Sequence, residues 1–116
     1  MSRARSAAAV KLTEAAPVFA ALGDATRLAI VGRLCSGGPL SIARLSEGAG
    51  VTRQAVTKHL HALGDAGLVR HTRRGRERIW ELETKRLETA QRCLGEIADR
   101  WDAAISRLKA FVESES

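Results

Sequence analysis

Cysteine, aromatic residues and long apolar runs are scarce in this sequence. Its 116 residues include two cysteines, two tryptophans, two phenylalanines and no tyrosine. Two cysteines are too few for the disulfide framework of a small secreted domain, and no stretch approaches the roughly 20 apolar residues of a membrane span. The basic, alanine-rich start lacks the apolar run of a signal peptide. We therefore expect one cytoplasmic domain with free thiols and no membrane partner.

Motifs of the common enzyme classes are also missing. The segment GAGVTRQ, residues 48–54, lacks the lysine spacing of a phosphate-binding loop, and there is no H-E-x-x-H motif or local Ser/His/Asp signature. Two cysteines alone do not make a zinc site, which needs four ligands at recognisable spacings. We therefore expect no enzyme activity, no cofactor and no metal site.

Positive charge is concentrated in one part of the chain. The formal net charge is +6. The segment Thr52–Arg78 holds seven lysines and arginines against two acidic residues, which is +5 of that total. A basic footprint confined to about a quarter of a chain is typical of a surface that binds a polyanion.

Apolar spacing and capping residues predict a mainly helical domain with one β-hairpin. Residues with N-cap chemistry, Asp24, Ser41 and Thr52, each precede an apolar repeat of helical period. Gly75 lies in the connection between two strand-like runs and can adopt positive φ. The predicted elements are a flexible tail over 1–11, helices over Leu12–Leu22, Asp24–Cys35, Ser41–Gly48, Thr52–Gly67 and about Thr84–Val112, and strands over Leu68–Thr72 and Arg78–Leu82.

The third and fourth helices, joined by a short glycine-containing turn, form the helix-turn-helix arrangement, whose second helix enters the major groove of DNA. Val56, Leu60 and Leu63 are predicted to face inward, which leaves a polar face on that helix. Arginine and glutamine can read guanine and adenine, and serine, threonine and lysine suit phosphates. The predicted DNA contacts on these helices are Ser41, Thr52, Arg53, Gln54, Thr57, Lys58 and His61.

The β-hairpin supplies a second basic element beside the helix. An arginine-rich tip next to glycine can reach a DNA backbone or a narrow minor groove. A solubilising turn is the alternative interpretation. The predicted hairpin contacts are Arg73, Arg74, Arg76 and Arg78.

Three segments together resemble the ArsR-type (ArsR/SmtB-like) winged helix-turn-helix transcriptional regulators: LGDATRLAIVGRL (residues 22–34), LSIARLSEGAGVTRQAVTKHLHALGDAGLV (40–69) and RRGRERIWEL (73–82). The resemblance covers residues 12–113. It implies a winged helix-turn-helix fold and a homodimeric repressor, paired through its first and last helices. It also implies an imperfect palindromic operator in double-stranded DNA near the protein's own promoter.

The last helix supports the dimer independently. Leu87, Leu94, Trp101 and Leu108 recur every seven residues, with Ala90, Ile97, Ala104 and Phe111 three positions further on. A heptad stripe of this length is typical of helix pairing. Packing within one chain is the alternative. The predicted dimer-interface residues are Leu12, Phe19, Leu87, Leu94, Ile97, Trp101, Leu108 and Phe111.

The signal to which such a regulator responds is open. The family's Cys-x-Cys metal site would fall in residues 40–45, which contain no cysteine, and its Asp/His site would need histidines after Thr84, where there are none. Cys35 and Cys93 resemble the positions of thiol sensors in some relatives, although a disulfide needs Cα atoms within about 7 Å. Buried packing is the alternative for both thiols. A winged-helix protein-interaction module and an architectural DNA-binding module are the other alternative functions.

Overall fold

The computed structural model of the protein describes the backbone of residues 2–115 and the side chains of residues 12–115. Within that range the chain forms five helices and one small antiparallel sheet. In chain order the elements are α1 (Ser2–Leu22), α2 (Ala25–Gly37), β1 (Leu40–Ser41), α3 (Ile42–Ser46), α4 (Arg53–Asp65), β2 (Val69–Arg74), β3 (Glu77–Leu82) and α5 (Thr84–Glu115).

The predicted fold class is confirmed, and the differences concern element ends. The first helix begins at Ser2 instead of Leu12, and the last one continues to Glu115. The predicted flexible tail, residues 1–11, lies outside the residues whose side chains are described, and it stays a prediction. Both hairpin strands extend further towards the tip than predicted, so the connection shrinks to Gly75 and Arg76.

All three predicted N-caps are present. Asp24 Oδ2 accepts a hydrogen bond from the Arg27 amide at 2.9 Å, and Ser41 Oγ accepts one from the Arg44 amide at 3.2 Å. Thr52 Oγ1 accepts from the amide of Ala55 at 3.1 Å. Each cap gives a partner to an amide that the first turn of a helix leaves without one, which fixes where α2, α3 and α4 begin.

Helix α4 also ends where its sequence predicts. The Gly67 amide donates to Gly64 O at 2.9 Å, and the Leu68 amide donates to Leu63 O at 2.9 Å. This pair of bonds defines the Schellman motif, which places the residue after the C-cap in the left-handed region. Gly67 has φ of +78° there, which glycine adopts without strain.

The sheet contains a strand that was not predicted. The strand order is β1-β3-β2, and β1 pairs Leu40 with Trp80 and Ser41 with Ile79. A two-residue strand after Pro39 has no periodicity from which it could be recognised. It anchors the hairpin to the start of α3, so the hairpin is not a free appendage.

The core lies between α1, α2, α4 and the sheet. The predicted inward residues of α4, Val56, Leu60 and Leu63, are fully buried, as are Val18 and Leu45. Burial of each such side chain stabilises the fold by about 1.5–3 kcal/mol. Helix α4 is therefore held by one apolar stripe, and its polar face remains at the surface.

Helix α5 leaves this core after its first turns. Ala90 and Cys93 are its buried residues, and between Leu94 and Glu115 every residue is exposed except the half-buried Ala104. The radius of gyration of 19.3 Å exceeds the roughly 13 Å of a compact domain of this size. The excess reflects helices that extend beyond the core.

Among the described residues, no single helix combines the length and apolar character of a membrane span. The segments Leu12–Leu22 and Ala25–Gly37 meet that criterion only as a pair, and they are bent by 99° relative to each other.

Candidate nucleic-acid interface

Helices α3 and α4 are joined by a turn that only glycine forms easily. Gly48 and Gly50 have φ of +67° and +72°, in the left-handed region. Two such residues within the segment 47–52 reverse the chain tightly between a five-residue helix and α4. The second helix is thereby presented at the surface, beside the hairpin that forms the wing.

The outer face of α4 carries the predicted reading residues. Arg53, Gln54 and Lys58 are exposed. In the described part of the chain their side chains have no hydrogen-bonding or ionic partner. Long polar side chains that point from one helix face into solvent, with their donors and acceptors unused, are suited to bases and phosphates.

Other residues that were predicted to contact DNA already form hydrogen bonds within the protein. Thr57 is half-buried, and its Oγ1 donates to Arg53 O at 2.8 Å. Ser41 is only 8% exposed and its Oγ caps α3. Thr52 is exposed, although its Oγ1 caps α4. The side chains of Ser41 and Thr57 are thus less accessible than the sequence suggested.

Trp80 joins α4 to the wing. It is 2% exposed, and the rings of His71 and His61 lie against it at centroid distances of 4.6 Å and 5.9 Å. The predicted base contact His61 remains exposed at its outer edge, while its ring packs against the indole at an interplanar angle of 67°. Trp80 Nε1 has no hydrogen-bond partner among the described residues. The aromatic group fixes the distance between α4 and the hairpin.

The wing separates its arginines onto two faces. Arg70, Arg74, Glu77 and Glu81 share the outer face, since Arg70 pairs with Glu81 and Arg74 with Glu77 in the strand register. On the outer face each of these arginines therefore has a glutamate opposite it, so their formal charges balance. Arg70 also forms ion pairs, with Glu81 at 2.9 Å and with Glu83 at 3.3 Å.

The inner face of the wing has no such compensation. Arg73 lies opposite Arg78, one step along the strands from the His71–Trp80 pair that packs on the protein. At the tip, Gly75 has φ of +63° and no residue other than glycine has positive φ among the described ones. Positive φ at the first turn position alone is the type II′ geometry, which joins the strands in two residues and so sets this register.

A cleft connects the inner face of the wing to the start of α4. It has a volume of 410 Å³. Arg53, Arg76 and Arg78 line it against one carboxylate, Glu77, and the exposed edge of Ser41 faces it. Its remaining lining residues are Ile42 and Ala43. A groove with this balance of charge attracts phosphate groups.

Helix α2 contributes two arginines that the sequence analysis did not single out. Arg27 Nε donates to Ala21 O at 2.6 Å, and Arg33 Nη1 donates to Leu45 O at 2.9 Å and to Glu47 O at 3.2 Å. Basic side chains often bind the free carbonyls at helix ends. An arginine on a largely apolar helix is a signal that could have been noticed in the sequence. The carbonyls that each arginine binds, however, are set by the tertiary fold.

Asp24 and His59 link α2 to α4. Asp24 Oδ2 and His59 Nδ1 are 3.9 Å apart, so the side of α4 that carries His59 faces α2. The pKa of Asp24 is held below its ordinary value of 3.8, chiefly because its carboxylate accepts the Arg27 amide, and further because of the charges of Arg27 and His59.

The proposed dimer surface is a stripe on α5 with one residue from α1. The predicted residues Leu94, Ile97, Trp101, Leu108 and Phe111 are 43–65% exposed, and Leu12 is 54% exposed. Phe19 and Leu87 are half-buried and pack against the core of their own chain. Exposed apolar side chains that the sequence analysis missed are Leu28, Ile105 and Val112.

The two thiols differ in access. Cys35 is exposed on α2, whereas Cys93, on α5, is only 4% exposed. In the described residues, no three histidine, cysteine or acidic side chains are grouped so that they could hold a metal ion.

Comparison with known proteins agrees with this architecture. A family model described as a helix-turn-helix domain matches residues 22–72. The HTH-type transcriptional regulator Rv2034 of Mycobacterium tuberculosis is 35% identical over 82% of this chain and 85% of its own. YuzN of Bacillus subtilis, an HTH-type transcriptional regulator, is 40% identical over 53% of this chain and 74% of its own. An ArsR-like transcriptional regulator from Rhodococcus sp. RHA1 has a solved structure with a TM-score of 0.73 and 36% identity, covering 86% of this chain and 93% of that one.

Proposed function

The chain belongs to the ArsR-type winged helix-turn-helix transcriptional regulators, and we propose that it acts as a homodimeric, sequence-specific repressor of its own promoter. Like its relatives, it is a DNA-binding transcriptional regulator, and it is not an enzyme. Its operator, oligomeric state and direction of control belong to the proposal. Such a protein acts at the chromosome, in keeping with the predicted cytoplasmic location.

One observation carries the proposal: the start of α4 and the tip of the wing meet at a cleft lined by Arg53, Arg76 and Arg78 against one carboxylate. A duplex offers base edges in the major groove beside a phosphate backbone, so it fits both parts at once. A protein partner fits less well, because charged residues are depleted at the centre of protein interfaces.

Residues take different roles in this proposal. Arg53 and Gln54 read bases, since they lie at the start of α4 with their side chains unengaged. Thr52, Lys58, Arg73, Arg76 and Arg78 hold phosphates or the minor groove. Thr57, His61 and Arg74 contribute at the margin, because each is engaged within the protein or lies on the neutral outer face of the wing. Ser41 acts mainly as the cap that orients α3.

The α5 stripe supports the homodimer. Its apolar side chains lie at heptad spacing, and the chain's own core does not reach them. A second copy of the same stripe offers a matching surface for knobs-into-holes packing. Dimerisation through α5 would place two α4 helices in successive major grooves, about 34 Å apart or a multiple of that.

Repression would be steric, because a dimer that occupies the promoter excludes the polymerase. An effector would have to bind the free and the DNA-bound geometries with different affinity. The family's usual metal sites would need cysteines in residues 40–45 and histidines after Thr84, and the sequence has neither. We therefore propose that the protein responds to a signal other than a metal bound at those sites.

The proposal is tested by fluorescence anisotropy with DNA from upstream of the protein's own gene and with scrambled DNA, at about 50 and 200 mM salt. We expect tighter binding to the upstream DNA, a preference that persists at the higher salt, and a dimer by light scattering. Equal binding to both DNAs that vanishes with salt would favour the architectural module. No binding at all would favour the protein-interaction module.

A further inference from the structure

We infer that α2 is the bracket that fixes the helix-turn-helix relative to the dimerisation helices, and that Arg33 is its positioning residue. Arg33 would not touch DNA. It would set the orientation of α3, and thereby that of α4, in which the bases are read. This inference rests on the proposed function, because it assigns a residue that specific binding needs.

Arg33 holds the carboxyl end of α3. One of its terminal nitrogens, Nη1, donates to Leu45 O at 2.9 Å and to Glu47 O at 3.2 Å, across to a segment 12–14 residues further along the chain. Glu47 is the C-cap of α3, so these carbonyls are among those that the helix leaves without a partner. The half-buried guanidinium is engaged at the point where the turn towards α4 begins.

Because α3 is short, its position depends on contacts with the rest of the protein, such as this one. A helix of five residues has too few internal hydrogen bonds to be stable by itself. The turn that follows contains two glycines at positive φ, which restrict the chain less than other residues would. The cap and the strand pairing of Ser41 hold the start of α3, and the packing of Ile42 and Leu45 holds its inner side. Arg33 binds its carboxyl end, where the turn towards α4 begins.

The opposite end of α2 is tied to the dimerisation helices in the same way. Arg27 Nε donates to Ala21 O at 2.6 Å, and Arg27 Nη2 donates to Ala20 O at 3.5 Å, at the carboxyl end of α1. Helix α1 packs along α5. The two arginines of α2 thus bind the last carbonyls of a dimerisation helix, α1, and of the first helix of the helix-turn-helix, α3.

A second link reaches α4 directly. Asp24, the N-cap of α2, lies 3.9 Å from His59 of α4. Helix α2 is therefore joined by polar contacts to α1, α3 and α4. Functional groups must be held within about 0.5 Å of their working positions. Loss of a contact at either end of α2 would therefore shift the base-reading side chains of α4 without removing any side chain that contacts DNA.

The test compares Arg33→Met, which removes the donors and keeps an aliphatic stem, with Arg33→Lys and with a charge-matched control, Lys109→Met. Lys109 is exposed near the end of α5, far from the bracket. Anisotropy would measure the affinity for upstream and scrambled DNA at several salt concentrations. Thermal unfolding would be recorded for every variant, and binding measured well below the lowest Tm.

We expect Arg33→Met to lower the preference for upstream over scrambled DNA about tenfold, because two charged hydrogen bonds no longer orient α3. Its affinity for scrambled DNA and its salt slope should match those of Lys109→Met. Arg33→Lys should recover part of the preference, since one ammonium can reach a carbonyl. A lower Tm with an unchanged preference would overturn the inference, as would a smaller salt slope, which marks a phosphate contact.

Hydrogen exchange separates this inference from the proposed function. If the parent protein shows no preference for upstream DNA, the proposed function fails, and exchange still tests the bracket. Amides of residues 42–51 should exchange about tenfold faster in Arg33→Met than in the parent, with α5 unchanged. Equal exchange rates in that segment would overturn the inference whatever the DNA results.

Discussion

Arg73 and Arg78 lie directly opposite each other across the wing hairpin, on the face that looks towards α4. Like charges in a cross-strand pair destabilise a sheet by roughly 0.2–1 kcal/mol, so the pair is a cost to the free protein. Phosphates placed between them would turn that repulsion into attraction. The repulsion between the two arginines is therefore relieved when the wing is bound to a polyanion.

Replacing Arg73 with threonine should therefore have opposite effects on stability and on binding. We expect the free energy of unfolding of the free protein to rise by a few tenths of a kcal/mol. Affinity should fall several-fold for all DNA sequences alike, and the slope of log affinity against log salt should shrink by about 1. Arg74→Thr is the matched control, because Arg74 faces Glu77 on the outer side. If both variants lose the same affinity, the two faces of the wing do not differ.

Gln54→Ala should mainly reduce specificity. Its amide can pair with adenine, and each such base contact discriminates by about 1–3 kcal/mol. Arg76→Ala, at the tip of the wing, should instead weaken binding to every sequence. Competition titrations with single-base operator variants would separate the two patterns. The reverse pattern would contradict the roles assigned to α4 and to the wing.

Trp101→Glu should convert the dimer to a monomer and weaken operator binding at least tenfold. Trp101 is 65% exposed in the α5 stripe, and a buried, unpaired carboxylate in a dimer interface is strongly unfavourable. Light scattering across a concentration series would measure the change. Ala103→Glu, exposed on another side of α5, should leave the dimer intact. A dimer that tolerates both changes would place the interface elsewhere.

Acid should remove the contribution of Asp24 to stability. Its pKa is lowered in the folded protein, so the ionised carboxylate favours folding. That contribution is complete above the ordinary value of 3.8 and is lost as the pH falls through the lowered folded pKa. Asp24→Asn keeps a capping oxygen without the charge. Urea unfolding should show the parent more stable than this variant at pH 7, with the difference vanishing in strong acid.

The two thiols should react at different rates in the native protein. Exposed Cys35 should react with a thiol reagent such as DTNB within minutes, whereas buried Cys93 should react only as the protein unfolds. A thiol switch between them would require diamide to release the protein from DNA and Cys93→Ser to abolish that response. If parent and variant respond alike, the thiol-sensing alternative is excluded.

Local signals in the sequence were enough to predict most of the fold. Asp24, Ser41 and Thr52 fix helix starts through their own side chains, and the stripe Val56, Leu60 and Leu63 identifies the buried face of α4. Such features depend on residues within a few positions of one another. They locate the helix-turn-helix and its polar face without any knowledge of tertiary contacts.

Features that depend on distant partners could not be predicted. Strand β1 exists because Leu40 meets Trp80, and the two wing faces follow from the register set at Gly75. Arg33 resembles any other surface arginine until α3 is placed beside it. The heptad repeat, in turn, does not distinguish Leu87, packed on its own core, from Leu94, which is exposed.

The chain's two tryptophans lie in different functional parts. Trp80 is enclosed between the recognition helix and the wing, while Trp101 is open on the stripe of α5. Because the protein has no tyrosine, its near-ultraviolet emission comes from these two indoles alone. A blue shift on concentration would report the covering of Trp101, and a change in the buried indole would report movement of the wing. The natural sequence therefore carries one spectroscopic probe for assembly and another for the DNA-reading unit.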